Sequence, residues 1–210
     1  MESQSTPPFN LQTRVVNILT KPTQEWPVIA AEPKDIAGLY SKYIVLLAAI
    51  PAICGAIGRS VIGVSYGFGT YRAPFVNSIV MAVVQYVLTL VGVFVGAFVI
   101  AKLAPNFQSD PDTAQATKLV AYASTPGWVA GVLLLIPALG PIVALVSLYS
   151  IYLIYLGMTP VMKTPADKVI VYLVVSAIVL IVVYFVVGAI AAALVLTMGL
   201  GMGAMARPGF

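Results

Sequence analysis

Residues 119–162 run for 44 positions without a charged side chain. A helix needs about 20 apolar residues to cross the hydrocarbon core of a bilayer. This run is too long for one crossing and right for two. Its middle reads PALGP at 137–141, where Pro137, Gly140 and Pro141 signal a turn. Three other uncharged runs, 43–58, 73–101 and 169–206, each allow one span. The first is short, but Lys42 and Arg59 flank it, and their long side chains can snorkel to the interface. The expected spans lie at about 40–62, 74–101, 116–136, 140–160 and 167–194.

Composition supports that reading. Charged residues make up 9% of the 210, and 60% are hydrophobic, whereas a soluble domain carries about 25% charged residues. The expected fold class is all-α: a polytopic integral membrane protein with a bundle of five transmembrane helices over residues 43–198. A cytoplasmic segment, 1–42, precedes it, and a Gly/Met-rich extracytoplasmic tail, 199–210, follows. The first 42 residues hold eight charges, so no secretory leader is expected. The lone Cys54 has no internal disulfide partner.

Lysine and arginine set the orientation. One side collects Arg14, Lys21, Lys34, Lys42, Lys102, Lys118, Lys163 and Lys168; the other has Arg59, Arg72 and Arg207. Eight against three puts the N-terminus in the cytoplasm and the C-terminus outside. The bases are spread along the loops, so the net charge of +4 reads as orientation bias, and no nucleic-acid partner is expected. Spans one, three and five each follow a proline with acidic neighbours: EPKD (32–35), DPDT (110–113) and TPAD (164–167). Proline suits the first helical position, and acids complement the helix dipole there. Thr164 and Asp167 have capping-box spacing.

Before span one, LQTRVVNILTK (11–21) places Leu11, Val15, Ile18 and Leu19 on one helical face, with Arg14 and Asn17 turned away. The pattern predicts a short amphipathic helix in the cytoplasmic interface, ended by Pro22, with Trp26 as an interfacial anchor. An ordered segment packed on the bundle is the other reading.

The chain has no histidine, which excludes a Ser-His pair and histidine-bound metal. No pair of aspartates lies within the spans, and no buried acid is evident, which argues against a proton relay. No catalytic, metal or cofactor site is expected. Tyr149, Tyr152 and Tyr155 form a slanting stripe near the end of span four. Their hydroxyls either bond to neighbouring helices and headgroups or line a polar groove for a lipid or solute. Lys163, Asp167 and Lys168 follow at headgroup depth, Asp167 as a cap. Gln85, in mid-span, either bonds to a neighbouring helix or lines a path. Gly92 with Gly96, and Gly188 with Ala192, permit close helix approach, within one chain before a dimer. Pro126 sits in STPGW (124–128), where Ser124 or Thr125 can satisfy the backbone it frees. The outer loop SYGFGTYR (65–72) reads as a flexible turn with interfacial rings, with a binding loop as the other reading.

The stretches RVVNILTKPTQEWPVIAAEP (14–33), YASTPGW (122–128) and YSIYLIYLGMTPVMKTPADK (149–168) carry a resemblance. With them the chain resembles the Yip family of five-span membrane proteins, named for interaction with Ypt/Rab-type GTPases, and looks most like its short bacterial members. The resemblance implies a cytoplasmic N-terminus, a place in the bacterial cytoplasmic membrane, and a role in membrane organisation or trafficking through protein contacts. Eukaryotic relatives carry a D-apolar-x-Gly-Pro element before span one. Asp35, Ile36 and Gly38 echo it, with Leu39 where proline would stand. Those relatives also have a longer cytosolic region that engages GTPases. About 42 residues stand here, which speaks against a GTPase partner.

The expected function is that of a non-enzymatic membrane adaptor or scaffold. Its expected partners are membrane lipids and a membrane protein or further copies of itself. The alternative is a small transporter, channel or lipid-handling protein working as an oligomer.

Overall fold

The computed structural model describes residues 10–65, 69–183, 185 and 186. Two short helices come first: α1, Leu11–Thr20, capped by the Asn10 side chain on Thr13 N at 3.1 Å, and α2, Pro22–Ala31. Four helices long and apolar enough to cross a membrane follow. They are α3, Ile36–Ile62; α4, Phe75–Phe107; α5, Thr113–Leu135; and α6, Pro137–Met162. A shorter apolar helix, α7, covers Val169–Val183. The chain is an all-α polytopic membrane protein. The expected fifth span, to 194, runs past the described residues. Gly188, Ala192 and the tail at 199–210 lie outside them.

The starts of α3 and α5 follow one rule. Asp35 accepts from Gly38 N at 2.8 Å, and Asp112 accepts from Ala114 N at 2.8 Å and Gln115 N at 3.2 Å. Each carboxylate satisfies amides that a helix start leaves without partners. Pro33 and Pro111 sit just outside the helices, not at the expected first position. The third start differs. Lys168 N bonds to Pro165 O at 2.9 Å, and TPAD is a turn before α7. The expected capping box is replaced, because the Thr164 hydroxyl is buried and accepts from Ser109 Oγ at 2.9 Å. Ser109 belongs to the α4–α5 connection, so this bond ties two loops at one end of the bundle. Asp110 N to Met162 O, at 2.8 Å, adds a second tie.

Helix α5 is the middle of the bundle, in contact with α2, α3, α4 and α6. Its turn at Ser124 has a clear cause. Pro126 lacks the N–H that would bond to Tyr122 O. Thr125 Oγ1 donates to that carbonyl at 2.6 Å. A hydroxyl has one proton, so the 2.6 Å bond between Thr125 Oγ1 and Tyr43 must use the Tyr43 proton. The repaired kink thereby holds α3. At the far end α5 tightens into a 3-10 turn, Gly131–Leu135; the break comes at the extended Ile136, and PALGP, the expected turn, opens α6 with a 3-10 turn, Pro137–Leu139. Connecting α3 to α4, Val64–Ser65 pairs antiparallel with Thr70–Tyr71, Val64 opposite Tyr71. The expected flexible turn is thus anchored by a short β-hairpin; its tip, 66–68, lies outside the described residues.

Gly131 and Gly157 are among the glycines that set how near the helices come. A Cβ on Gly131 would lie 2.6 Å from Pro51 Cβ and 2.8 Å from Pro51 Cα, against α3. A Cβ on Gly157 of α6 would lie 2.5 Å from Leu119 Cδ1 and 2.8 Å from Trp26 Cε2. Backbone must shift in the first case, so Gly131→Ala is expected to destabilise the bundle by about 1–3 kcal/mol. Thermal unfolding in detergent should show a lower midpoint. Gly140→Ala, whose added methyl meets open space, should leave the midpoint unchanged or raised. Equal midpoints for the two variants would refute this account of the contact.

Candidate functional site

Three polar side chains of α5, Gln115, Lys118 and Tyr122, are spaced i, i+3 and i+7 and share one face. Helices α1 and α2 lie against that face. The last carbonyls of any helix lack intrahelical partners. Here α5 supplies them: Gln115 Nε2 donates to Ala30 O at 3.0 Å, and Lys118 Nζ donates to Ile29 O at 3.1 Å and to Glu32 O at 2.6 Å. A cation at the C-terminal end of α2 also complements its dipole.

Arg14 of α1 closes the assembly. Its guanidinium forms ion pairs with both Glu25 and Glu32 and stands 5.6 Å from the centre of the Tyr122 ring. Asn17 Nδ2 donates to the second oxygen of Glu25 at 3.0 Å. The Tyr122 hydroxyl lies 3.5 Å from Glu32 Oε2. Arg14, Glu25 and Lys118 are 9%, 8% and 4% exposed. At such burial a lone charge is untenable, and these charges are matched two against two. Below them, the rings of Tyr122 and Tyr43 meet at 4.6 Å between centroids. The ionic cluster therefore sits directly on the repaired kink of α5.

This geometry revises several sequence expectations. The amphipathic helix at 11–21 forms, but Arg14 turns inward, because Glu25 and Glu32 wait there. Trp26 is fully buried beneath Gly157, not an interfacial anchor. Lys118, counted with the loop bases, lies inside α5. The acids before span one, expected outside the bundle, include a buried one, Glu25. Helix α2 is hidden from the apolar pattern, since Pro27 interrupts it; Pro22 at its first position and Glu25 in its first turn are its signal.

The expected site residues are scattered by comparison. Tyr149 donates to Leu19 O at 3.2 Å and so also holds α1. Its ring is 5.6 Å from that of Tyr152, but Tyr152 and Tyr155 are exposed. Lys163, in a left-handed conformation that ends α6, reaches Asp110 Oδ2 at 3.1 Å on the surface. Asp167 is exposed and Lys168 half-buried. Gln85 is exposed on the outside of α4. Gly96 is buried against Val120 of α5, 3.5 Å from where its Cβ would be, which is packing within one chain; Gly92 is half-buried.

A second tether lies outside the spans, where Lys34 forms an ion pair with Asp112. Burial alone would push the Asp112 carboxyl up. The Lys34 ammonium and the amides of Gln115 and Ala114 outweigh it and hold the carboxyl below its ordinary value. The hydrogen bond to Asp112, then its charge, pushes Lys34 up. A depressed acid stabilises above its unfolded value, about 3.9, and that contribution fades as pH falls through the lower folded value. A raised lysine stabilises below about 10.4 and fades as pH climbs through its raised value. Between those limits the tether should not respond to pH. Asp112→Ala should cost about 1 kcal/mol through the lost cap. Asp112→Asn should restore most of that, read as thermal midpoints at pH 7; equal losses would show that the cap is not what matters.

Removing one partner of a buried ion pair costs about 3–5 kcal/mol, because the other charge is left unmatched. Arg14→Leu should release α1 and α2 from the bundle. A glutamyl endopeptidase should then cut after Glu25, which is buried while the segment is docked, at least tenfold faster in membranes that present this side. Arg14→Lys should fall between, since a point charge cannot fork to two carboxylates. Unchanged cleavage in both variants would show that the cluster does not hold the segment.

The chain is 32% identical over 126 residues to the inner membrane protein YohC of Escherichia coli strain K12, and equally to YohC of strain CFT073. The match covers 60% of this chain and 65% of each relative's length. No solved structure matches it. The sequence model of the Yip1 domain matches residues 16–190, from within α1 to beyond the described part of α7. The chain belongs to the Yip1 domain family.

Proposed function

We propose that the protein is a non-enzymatic scaffold of a bacterial inner membrane, with five spans, a cytoplasmic N-terminus and an extracytoplasmic C-terminus. It acts through protein contacts made within the bilayer and on its cytoplasmic face. The eight-to-three division of lysine and arginine supports the orientation. The inner-membrane assignment of the Escherichia coli relatives supports the membrane.

The observation that carries the reading is the locked N-terminal pair. Buried ion pairs fix α1 and α2 to the bundle, while Val16 and Val28 remain 50% and 48% exposed on their outer sides. A segment held this firmly presents a surface of defined shape, which suits a protein partner better than a loose tail would. The alternative is a small transporter, channel or lipid-handling protein. It draws on the exposed Tyr152 and Tyr155 near the same end.

One experiment separates them. A photoreactive amino acid at position 16 or 28, activated in native membranes, should trap one dominant protein. The same probe at Tyr152 or Tyr155 should give no solute- or lipid-transfer phenotype. Lipid adducts alone at 16 and 28, together with flux through reconstituted vesicles lost in Tyr152→Phe, would overturn the scaffold in favour of the alternative.

A further inference from the structure

Gln85 lies ten residues into α4, about 15 Å from Phe75 at its start. That is half the thickness of a hydrocarbon core of about 30 Å. The side chain is exposed on the outside of the bundle. Its backbone carbonyl accepts from Thr89 Oγ1 at 2.8 Å, but among the described residues the carboxamide makes no hydrogen bond. A glutamine near a helix end can reach water with its two methylenes; one at this depth cannot. Bilayer core offers neither donor nor acceptor, so the amide needs a protein partner.

The residues around it form a seam. Met81, Gln85, Leu88, Gly92 and Val95 follow one another in steps of four and three, the spacing with which two helices pack side by side. Met81 and Leu88 are 60% and 54% exposed. Gly92 and Val95 are half-buried. Gly92 lowers the ridge and lets a second backbone approach. Gly96 is already occupied by Val120, so the two glycines of the GxxxG pair face different neighbours.

We infer that this seam is the contact between two copies of the chain, with Gln85 of each protomer hydrogen-bonded to Gln85 of the other across a twofold axis. The chemistry selects the occupant. A carboxamide carries donors and an acceptor and is complementary to itself, and a twofold axis brings like residues together. Acyl chains cannot supply either group. The dimer does not depend on the scaffold reading and stands or falls apart from it.

The test uses the full chain with Cys54→Ala, so that introduced cysteines are the only ones. Leu88→Cys keeps Gln85 and should form a disulfide-linked dimer on mild oxidation in native membranes. Val83→Cys, 56% exposed on the opposite side of α4, should not. Energy transfer between labelled copies in phosphatidylethanolamine–phosphatidylglycerol vesicles should rise with the protein-to-lipid ratio. Gln85→Leu should weaken self-association about 3- to 30-fold, and Gln85→Asn less. The thermal midpoint of Gln85→Leu in detergent should match the parent, which shows that the fold is intact. Absence of energy transfer at every ratio would overturn the inference. So would linkage through Val83→Cys in place of Leu88→Cys, Leu88→Cys adducts with other proteins only, or a Gln85→Leu variant that associates as the parent does.

Discussion

The contact on which the rest of this end of the bundle depends is the fork of Arg14 onto Glu25 and Glu32. Those three residues come from α1, α2 and the end of α2. Joined, they turn two weak helices of ten residues each into one unit. Helices this short are marginal in water by themselves. Lys118 then attaches the unit to α5 through carbonyls at the C-terminal end of α2. None of the four charges would be tolerable without the others. The docking of the N-terminal pair is therefore closer to all-or-none than to a sum of contacts.

Inside the apolar bundle, hydroxyls take over the work that charges do at its edge. Thr125 answers the carbonyl freed by Pro126, and Tyr43 answers Thr125. Tyr40 reaches Leu90 O and Tyr86 reaches Val45 O, each at 3.0 Å, stitching α3 to α4 from both sides. Tyr172 of α7 reaches Ile100 O of α4 while its ring stacks on Phe107. Each bond gives a tyrosine a partner where water is absent, and each fixes the rotation of one helix against its neighbour. Apolar side chains alone specify such rotations poorly in a bilayer, since lipid tails solvate them equally well on any face.

Much of this was legible in the sequence, and the limits have physical causes. The spans were readable because a charge in hydrocarbon is expensive, so uncharged length is a strong signal. Pro126 and Thr125 were readable because the defect and its remedy are adjacent. The ionic cluster was not. Arg14 and Lys118 are separated by 104 positions, and neither looks unusual within its own segment. The helix at 11–20 is legible from its one apolar face. That face does not say whether lipid or protein will cover it. Tyr149, Tyr152 and Tyr155 show the same limit. Their spacing is regular, yet only Tyr149 meets a helix, because α1 ends beside it.

All seven acids precede α3, lie in the α4–α5 connection, or lie just before α7. Ion pairs can therefore form at one end of the bundle only, and every ion pair among the described residues is there. At the other end the Arg72 guanidinium has backbone for company: Arg72 Nε donates to Ile62 O at 3.4 Å. The two ends are thus built by different means. One is closed by matched charges that hold two additional helices. The other is closed by a β-hairpin and by the close passage of Gly58 against the backbone of Leu134 and Leu135. A charge lost from the first end should loosen α1 and α2 and leave the far end intact, because apolar contacts in the middle of α3, α4 and α5 carry no long-range field to transmit the change. The same separation lets the charged end vary its contacts without disturbing how the spans pack.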